Sequence, residues 1–582
     1  MDTVKSIKGY FKVDEAQDQA SKRKTLKRYL FLSVSFVVLV AFVIIGTTVG
    51  VSHGRNNHSD ASTQSSTPNL TPAVSLRSVC SVTDFPDSCF SSISKIPSSN
   101  TTDPEVLFKL SLKVVVDELA SISDLPKKLS EETDDARLKS ALSVCRSMID
   151  DAMDSLNETI SAMEAGDVKN IVDDLKTWLT AALTYHETCF DTLDEPSPSN
   201  KTVNANSTLI SQSLKSSMQN STELTSNSLA IVAKVISTLS DFNIPIHRRR
   251  LLAFPSWVKP GVRRLLQEKK VKPNVTVAAD GSGDVTTITE AVLKVPFKSN
   301  TTIVIYVKSG TYEENVFMDK SAWNVMIYGD GSSKTIISGN KNCIDDESLH
   351  TYQTATFSIL GKGFVMKDIG IINTAGPEKH QAVAFHSQSH ESVFYRCSFD
   401  SYQDTLYTHS NPQFYRECDV TGTVDFIFGN AAAVFQDCTI RPRQPLPNQF
   451  NAITAQGKSA SNMASGIVIQ RCKIYPNGKV TAATYLGRPW KKYSTTVFME
   501  SEIGAVVDAA GWMRWDASVD PPSSILYGEY KNSGPGSGLT KRVKWAGYKP
   551  VMSDAEAKKF TVASFLQGNK WLPADGVPYQ LT

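Results

Sequence analysis

A segment of the form aromatic, polar, cysteine recurs through the carboxy-terminal half of the chain. It reads Phe394-Tyr395-Arg396-Cys397, Phe414-Tyr415-Arg416-Glu417-Cys418 and Val434-Phe435-Gln436-Asp437-Cys438, with a later echo at Val468-Ile469-Gln470-Arg471-Cys472. The first three cysteines are 21 and 20 residues apart. A period near twenty, built of short Val, Ile and Phe runs punctuated by Gly and Asn, predicts a parallel β-solenoid with one coil per repeat. Equivalent positions then stack at the strand spacing, about 4.8 Å. Asp404 and Asp425 each follow a repeat cysteine by seven residues, so a single register brings two distant carboxylates together.

Two stacked carboxylates repel when both are ionised, so one holds its proton more tightly. Chemically identical groups thereby become an acid and a base or nucleophile. Aspartates in solenoid turns ordinarily satisfy backbone amides. Here the neighbours Tyr402-Gln403-Asp404-Thr405-Leu406-Tyr407 and Asp425-Phe426-Ile427-Phe428-Gly429-Asn430 surround both carboxylates with apolar and aromatic groups that perturb ionisation. On its own the pair suits ester hydrolysis, a retaining glycosidase or a calcium-dependent lyase.

At 582 residues the chain is expected to hold two or three folded units with tails. The formal charge of +2 hides basic clusters at Lys22–Arg28, His247–Arg250 and Lys259–Lys272, none of which by itself implies nucleic acid. Residues 1–28 read as a cytosolic basic tail, and 29–51 as an apolar transmembrane signal-anchor or a long cleaved signal. A flexible linker follows over 52–74. Export agrees with the Asn-x-Ser/Thr glycosylation sequons at Asn57, Asn69, Asn100, Asn157, Asn200, Asn206, Asn220, Asn274 and Asn300, all before residue 303. Nine cysteines in an exported chain predict disulfides with at least one thiol left over.

Residues 75–240 read as a helical bundle. The stretches Val106–Leu119, Leu138–Met163, Val168–Tyr185 and Ile210–Leu239 carry apolar residues at three- and four-residue spacing. Cys80 and Cys89 bracket a short loop, while Cys145 and Cys189 lie on separate helices; both pairings are compatible with a stapled bundle. Residues 241–270 read as an exposed linker with twin basic sites, at Arg248-Arg249-Arg250 and Arg263-Arg264. Cleavage by a secretory-pathway protease after Arg250 or Arg264 is the expectation. From 271 to 582 the pattern is strands: Thr302–Val307, Val325–Tyr328, Thr335–Ile337 and Phe364–Ile372, separated by Gly, Asp, Asn and Ser.

Two resemblances sharpen this. Cys80 through Cys89, followed by Trp178-Leu179-Thr180-Ala181-Ala182-Leu183-Thr184-Tyr185 and Cys189, resembles the pectin methylesterase inhibitor domain. Gly310-Thr311-Tyr312-Glu313-Glu314, Gln381–Phe385, Gln403–Tyr407, Asp425–Gly429 and Leu486-Gly487-Arg488-Pro489-Trp490 stand in the order of the plant pectin methylesterases, so the strand region resembles that family. The resemblance implies an all-β right-handed parallel β-helix catalytic domain preceded by an all-α four-helix-bundle inhibitor-like domain. It implies hydrolysis of galacturonate methyl esters in homogalacturonan, releasing methanol, with no cofactor and no metal.

Carried over residue by residue, Asp425 is the nucleophile forming an acyl-enzyme and Asp404 the proton donor and later base. Gln381 and Gln403 supply oxyanion donors, and Arg488 holds Asp425 ionised. Thr351 matches a substrate-contacting position, and Phe428, Trp490 and Trp512 are the aromatics expected to line a sugar-binding groove. Cys418 and Cys438 match the family's disulfide positions, although spacing leaves a Cys397–Cys418 bridge open; Cys343, Cys397 and Cys472 are expected to be free and buried. No Gly-x-Ser-x-Gly elbow is present, which argues against a serine esterase.

The chain departs from the family at His386, where Arg is common, at His390 for Asp, at Ser401 for Gly and at Pro412 for a basic residue. Two added imidazoles beside a polyanion groove are expected to change charge between about pH 5 and 8. The implied partners are pectin, the chain's own inhibitor-like domain, separate inhibitor proteins, a secretory protease and, through 29–51 before processing, a membrane. The implied location is the cell wall. Competing readings are a non-catalytic pectin-binding or inhibitor protein, and a galacturonan-cleaving β-helix enzyme.

Overall fold

The computed structural model describes residues 71–165, 168–197, 205–238, 272–516, 518–575 and 577–580. The basic tail, the 29–51 segment, Asn57, Asn69, Asn200 and both basic sites of the linker lie outside them. Among the described residues, no helix is long and apolar enough to cross a membrane. The six described sequon asparagines, Asn100, Asn157, Asn206, Asn220, Asn274 and Asn300, are all exposed.

The amino-terminal half is helical: α1 (Pro72–Cys80), α2 (Pro86–Ile93), α3 (Pro104–Ile122), α4 (Leu125–Glu131), α5 (Ala136–Ala165), α6 (Val168–Asp194) and α7 (Ala205–Ile231). Proline occupies the first turn of each of α1 to α4, where its missing N–H costs nothing. The long helices α3, α5, α6 and α7 pack around Leu112, Val115, Leu142, Met148, Leu156, Leu175, Leu179 and Leu214. Disulfides Cys80–Cys89 and Cys145–Cys189 tie α1 to α2 and α5 to α6.

The carboxy-terminal half is a parallel β-helix whose described residues form three sheets, of eleven, eight and seven strands. Among the described residues every strand pairing is parallel, and along the repeat each strand pairs with its equivalents in the coils before and after it. Phe394, Tyr415 and Phe435 stack inside at centroid distances of 4.5 and 4.3 Å.

The corner between the eleven- and eight-stranded sheets explains the repeat. Arg396, Glu417, Asp437 and Arg471 each have a left-handed backbone, with φ of 53, 53, 55 and 52°, and turn the chain in one residue. The following cysteine points inward and begins the next sheet. The run 364–372 breaks by the same device: Asp368, at φ 56°, splits it into Val365–Lys367 and Gly370–Asn373.

The cysteine column is four long, because Ser398, Asp419, Thr439 and Lys473, each following a cysteine, pair in successive coils. The expected Cys418–Cys438 disulfide is absent: both are free thiols, as are Cys343, Cys397 and Cys472. In-register parallel strands send neighbouring cysteines in one direction, and each thiol turns to a carbonyl instead. Cys418 Sγ donates to Phe394 O at 3.4 Å and Cys438 Sγ to Tyr415 O at 3.5 Å.

Candidate active site

Asp404 and Asp425 precede the strands Leu406–Thr408 and Ile427–Gly429, whose register pairs Leu406 with Ile427. The two carboxylates are therefore equivalent positions of adjacent coils. Both have left-handed backbones, φ 62 and 52°, so each projects from a corner onto the outer face of the seven-stranded sheet. That face carries every second residue, and His386, Tyr407 and Phe428 form an outward column on it.

Arg488 grips Asp425 with two parallel bonds, Nε to Oδ1 at 2.8 Å and Nη2 to Oδ2 at 2.6 Å. The guanidinium is sandwiched by Trp515, 4.2 Å from the ring centroid, and Phe450 at 5.2 Å. Gly487, just before Arg488, lets its strand close on the neighbouring one, since a Cβ there would sit 2.0 Å from Thr454 Oγ1. Burial pushes Asp404 well above the ordinary carboxylate range, and the charge of Asp425 pushes it further while Arg488 opposes. Burial raises Asp425 as well, but the bonds and charge of Arg488 hold it back. The pair is thus asymmetric: burial and its neighbour's charge favour the protonated form of Asp404, while only Asp425 is gripped by an arginine.

Gln381 and Gln403 lie side by side in a parallel bridge, with Gln403 directly before Asp404. Trp490 and Phe428 are 6.3 Å apart on the outer face, with Tyr352 beside them. Trp512 is a correction. It is 1% exposed, packs on Tyr527 at 4.4 Å and donates its ring N–H to Glu529 at 3.3 Å, so it belongs to the core. Its neighbour Trp515, 42% exposed and lying on Arg488, is the aromatic at the site. The Gly511-Trp512-Met513-Arg514-Trp515 spacing carried that signal, because alternate sides of an extended run face opposite ways.

The helical bundle sits on this face. On α6, Thr180, Thr184 and Thr188 recur every fourth residue and so share one side of the helix. The hydroxyls of Thr184 and Thr188 donate to the carbonyls four residues earlier and accept from the other half. Asn430 Nδ2 donates to Thr184 Oγ1 at 2.8 Å and Ala464 N to Thr180 Oγ1 at 2.9 Å. His409 Nε2 meets Thr188 Oγ1 at 2.7 Å, and His409 Nδ1 meets His386 Nε2 at 3.1 Å.

From α5, Asp151 accepts from Gln388 Nε2 at 2.8 Å and pairs with Lys320 at 3.3 Å; Glu158 pairs with Lys362 at 3.1 Å. Lys491 pairs with Asp191 and, at 3.6 Å, with Glu187. Met463 is buried in the bundle's own apolar cluster. The expectation that His386 and His390 titrate between pH 5 and 8 is overturned. Burial, of His386 among Tyr352, Tyr407 and His409 and of His390 against Trp178 of the bundle, pushes each down to about 3, so both are neutral. Of these contacts only the Trp178–Tyr185 motif was noticed in sequence; the acidic residues of α5 and α6 were missed, being indistinguishable there from a solvated helix face.

The family model for pectinesterase matches residues 274–569, and that for the plant invertase/pectin methylesterase inhibitor matches 74–231. Pectinesterase 1 of Arabidopsis thaliana is 64% identical over 596 residues, covering 100% of both chains. Pectinesterase 3 of Phaseolus vulgaris is 54% identical, again covering 100% of both. A solved structure of pectin methylesterase from carrot is 47% identical with a TM-score of 0.52, covering 54% of this chain and 99% of that one. A carboxylic ester hydrolase on a parallel β-helix, joined to an inhibitor-type bundle, is the class these findings define. The chain belongs to the pectinesterase family.

Proposed function

We propose that the chain hydrolyses galacturonate methyl esters of pectin through an aspartyl acyl-enzyme, and that it is made as a precursor inhibited by its own helical bundle. The observation that carries the chemistry is the asymmetric pair, Asp425 clamped by Arg488 beside an Asp404 that burial and the charge of Asp425 push well above the ordinary carboxylate range. Asp425 attacks the ester carbonyl. The oxyanion is held by the side-chain amides of Gln381 and Gln403, and collapse of the tetrahedral adduct expels methoxide, which takes the proton of Asp404 and leaves as methanol. Asp404, now a base, removes a proton from water; hydroxide attacks the acyl carbonyl, releasing the galacturonate carboxylate and restoring Asp425. Phe428, Trp490 and Trp515 offer apolar faces to sugar rings, and Thr351 a polar contact.

Inhibition is supported by the bundle's position, which covers the outer face that substrate must reach. Release would follow cutting at Arg250 or Arg264, and secretion to the cell wall is the setting the exposed sequons and disulfides suit.

Methanol release from methylated pectin, before and after linker cleavage, tests both parts. Asp425→Asn and Asp404→Asn should each lower the rate of the cleaved protein by roughly 10²–10⁴-fold. Full activity in either variant would sink the chemistry. Chain shortening in place of methanol release would point to a galacturonan-cleaving enzyme.

A further inference from the structure

Glu195 stands immediately past the end of α6, and its carboxylate is seated in the other half of the molecule. Thr351 donates its backbone N–H to Oε1 and Oε2 at 3.1 and 3.3 Å, and its hydroxyl to Oε1 at 3.0 Å. His350 Nδ1 lies 3.3 Å from Oε2 and Cys343 Sγ 3.9 Å from Oε1. From its own half, among the described residues, the Glu195 carboxylate meets Arg137, 3.5 Å away, which also donates to the carbonyls of Glu347 and Leu349 at 3.0 and 2.8 Å. Burial works to raise the Glu195 carboxyl, but His350, Arg137 and the Thr351 amide outweigh it and hold Glu195 below the ordinary range, as an anion. The seat is close enough to the catalytic pair for the charge of Glu195 to help hold the proton on Asp404.

A built seat for one carboxylate, beside a pair that cleaves the ester of a uronic acid, matches the substrate's own chemistry: a partly de-esterified galacturonan is a chain of carboxylates. The ion pairs that three lysines make across the interface repeat the pattern. Asp151 and Asp154 face Lys320, Glu158 faces Lys362, and Glu187 with Asp191 faces Lys491. In each case the bundle supplies the anion and the β-helix the cation.

We infer that the bundle acts as an internal mimic of acidic pectin: Glu195 occupies the seat at Thr351 and His350 that a galacturonate carboxylate takes when the bundle leaves. Lys320, Lys362 and Lys491 then meet further carboxylates of the same polysaccharide. The inference rests on the inhibitory reading of the bundle.

The test uses the intact chain, titrated with hexagalacturonate and with its fully methyl-esterified counterpart, alongside methanol release. Glu195→Ala should bind both oligomers at least tenfold more tightly than the unsubstituted chain and release methanol correspondingly faster. Adding Thr351→Val to that variant should cost at least fivefold in affinity for the acidic oligomer, less than twofold for the esterified one, and Thr351→Ser should restore it. Unchanged thermal melts confirm that these chains fold. If the double variant binds acidic oligomer as Glu195→Ala does, Glu195 is only a clamp and the mimicry is overturned. If Glu195→Ala behaves like the unsubstituted chain while Asp191→Lys opens it, the mimicry falls and inhibition stands. If the intact, unsubstituted chain is already as active as the cleaved one, the inhibitory reading falls and takes this inference with it.

Discussion

The helical bundle and the β-helix solve the same problem of holding a functional surface rigid by opposite means. The bundle is cross-linked, and Cys145–Cys189 joins the two helices, α5 and α6, that carry most of its contacts to the catalytic face. The β-helix keeps four cysteines stacked and unbonded in its core, and draws its rigidity from ladders in which each coil repeats the last. A bundle of this size has few ways to fix the relative height of two helices, whereas a solenoid fixes register through every strand pair. Covalent bonds therefore appear where register is otherwise free.

The comparison breaks most visibly if the ladder is not what holds the β-helix. Phe435 is fully buried and stacked on Tyr415. Phe435→Ala should cost about 3–5 kcal/mol by lost transfer energy and the cavity left behind. Denaturant unfolding should show the β-helix transition moving and the bundle transition staying. A loss below about 1 kcal/mol would mean that neighbouring coils collapse into the gap and that the aromatic ladder is not the rigid element.

The disulfide contrast comes next in size. Cys145→Ser opens a loop of 44 residues, worth about 4 kcal/mol to the bundle on the chain-entropy account. Cys418→Ser or Cys438→Ala should cost only the packing of a small buried group, about 1–2 kcal/mol. Titration of the denatured, unreduced protein should find five thiols: Cys343, Cys397, Cys418, Cys438 and Cys472. Three thiols, together with a large cost at Cys438, would restore the bridge that family resemblance implied and erase the contrast.

The two halves also differed in how far they could be read from sequence. The solenoid was legible down to its register because its period is short and neighbouring coils repeat: the phase of Cys397 and Cys418 alone placed Asp404 over Asp425. Trp512 was misplaced because the resemblance names a residue type near the groove, while the alternation of an extended strand decides which of Trp512 and Trp515 faces it. The bundle's helices were legible from apolar spacing, but its working surface was not. Asp151, Asp191 and Glu195 acquire meaning only from lysines and a threonine far away in sequence, and no periodicity on α5 or α6 records those partners. His390 failed for the same reason, being covered by Trp178 of the bundle, whereas His386 is enclosed by Tyr352, Tyr407 and His409 of its own half, which only the folded coils bring together.

The smallest effect expected is on pH, and it asks whether the surface joining the two halves is tuned. Burial raises Asp191 to about 6 although Lys491 opposes it, and burial likewise raises Asp151, with Lys320 and Gln388 opposing. A carboxyl raised in the docked state binds a proton more readily docked than free. Its contribution to docking is therefore fully present below the free value, near 3.9, and is lost as pH rises through about 6. His390, packed against Trp178 of the bundle, acts in the other direction: burial lowers it to about 3 when docked, so its contribution is intact above about 6.5 and falls away as pH drops. Asp191→Asn removes one member of the first group without touching the second. In linker-cleaved protein, the affinity of the bundle for the β-helix should then strengthen less, or weaken more, between pH 6 and 4 than in the unsubstituted protein. The difference should be on the order of 1 kcal/mol, since Asp191 is partly exposed and its field is screened. Parallel pH profiles for the two proteins would show that Asp191 titrates alike docked and free, and that Lys491 holds it as an ordinary surface ion pair.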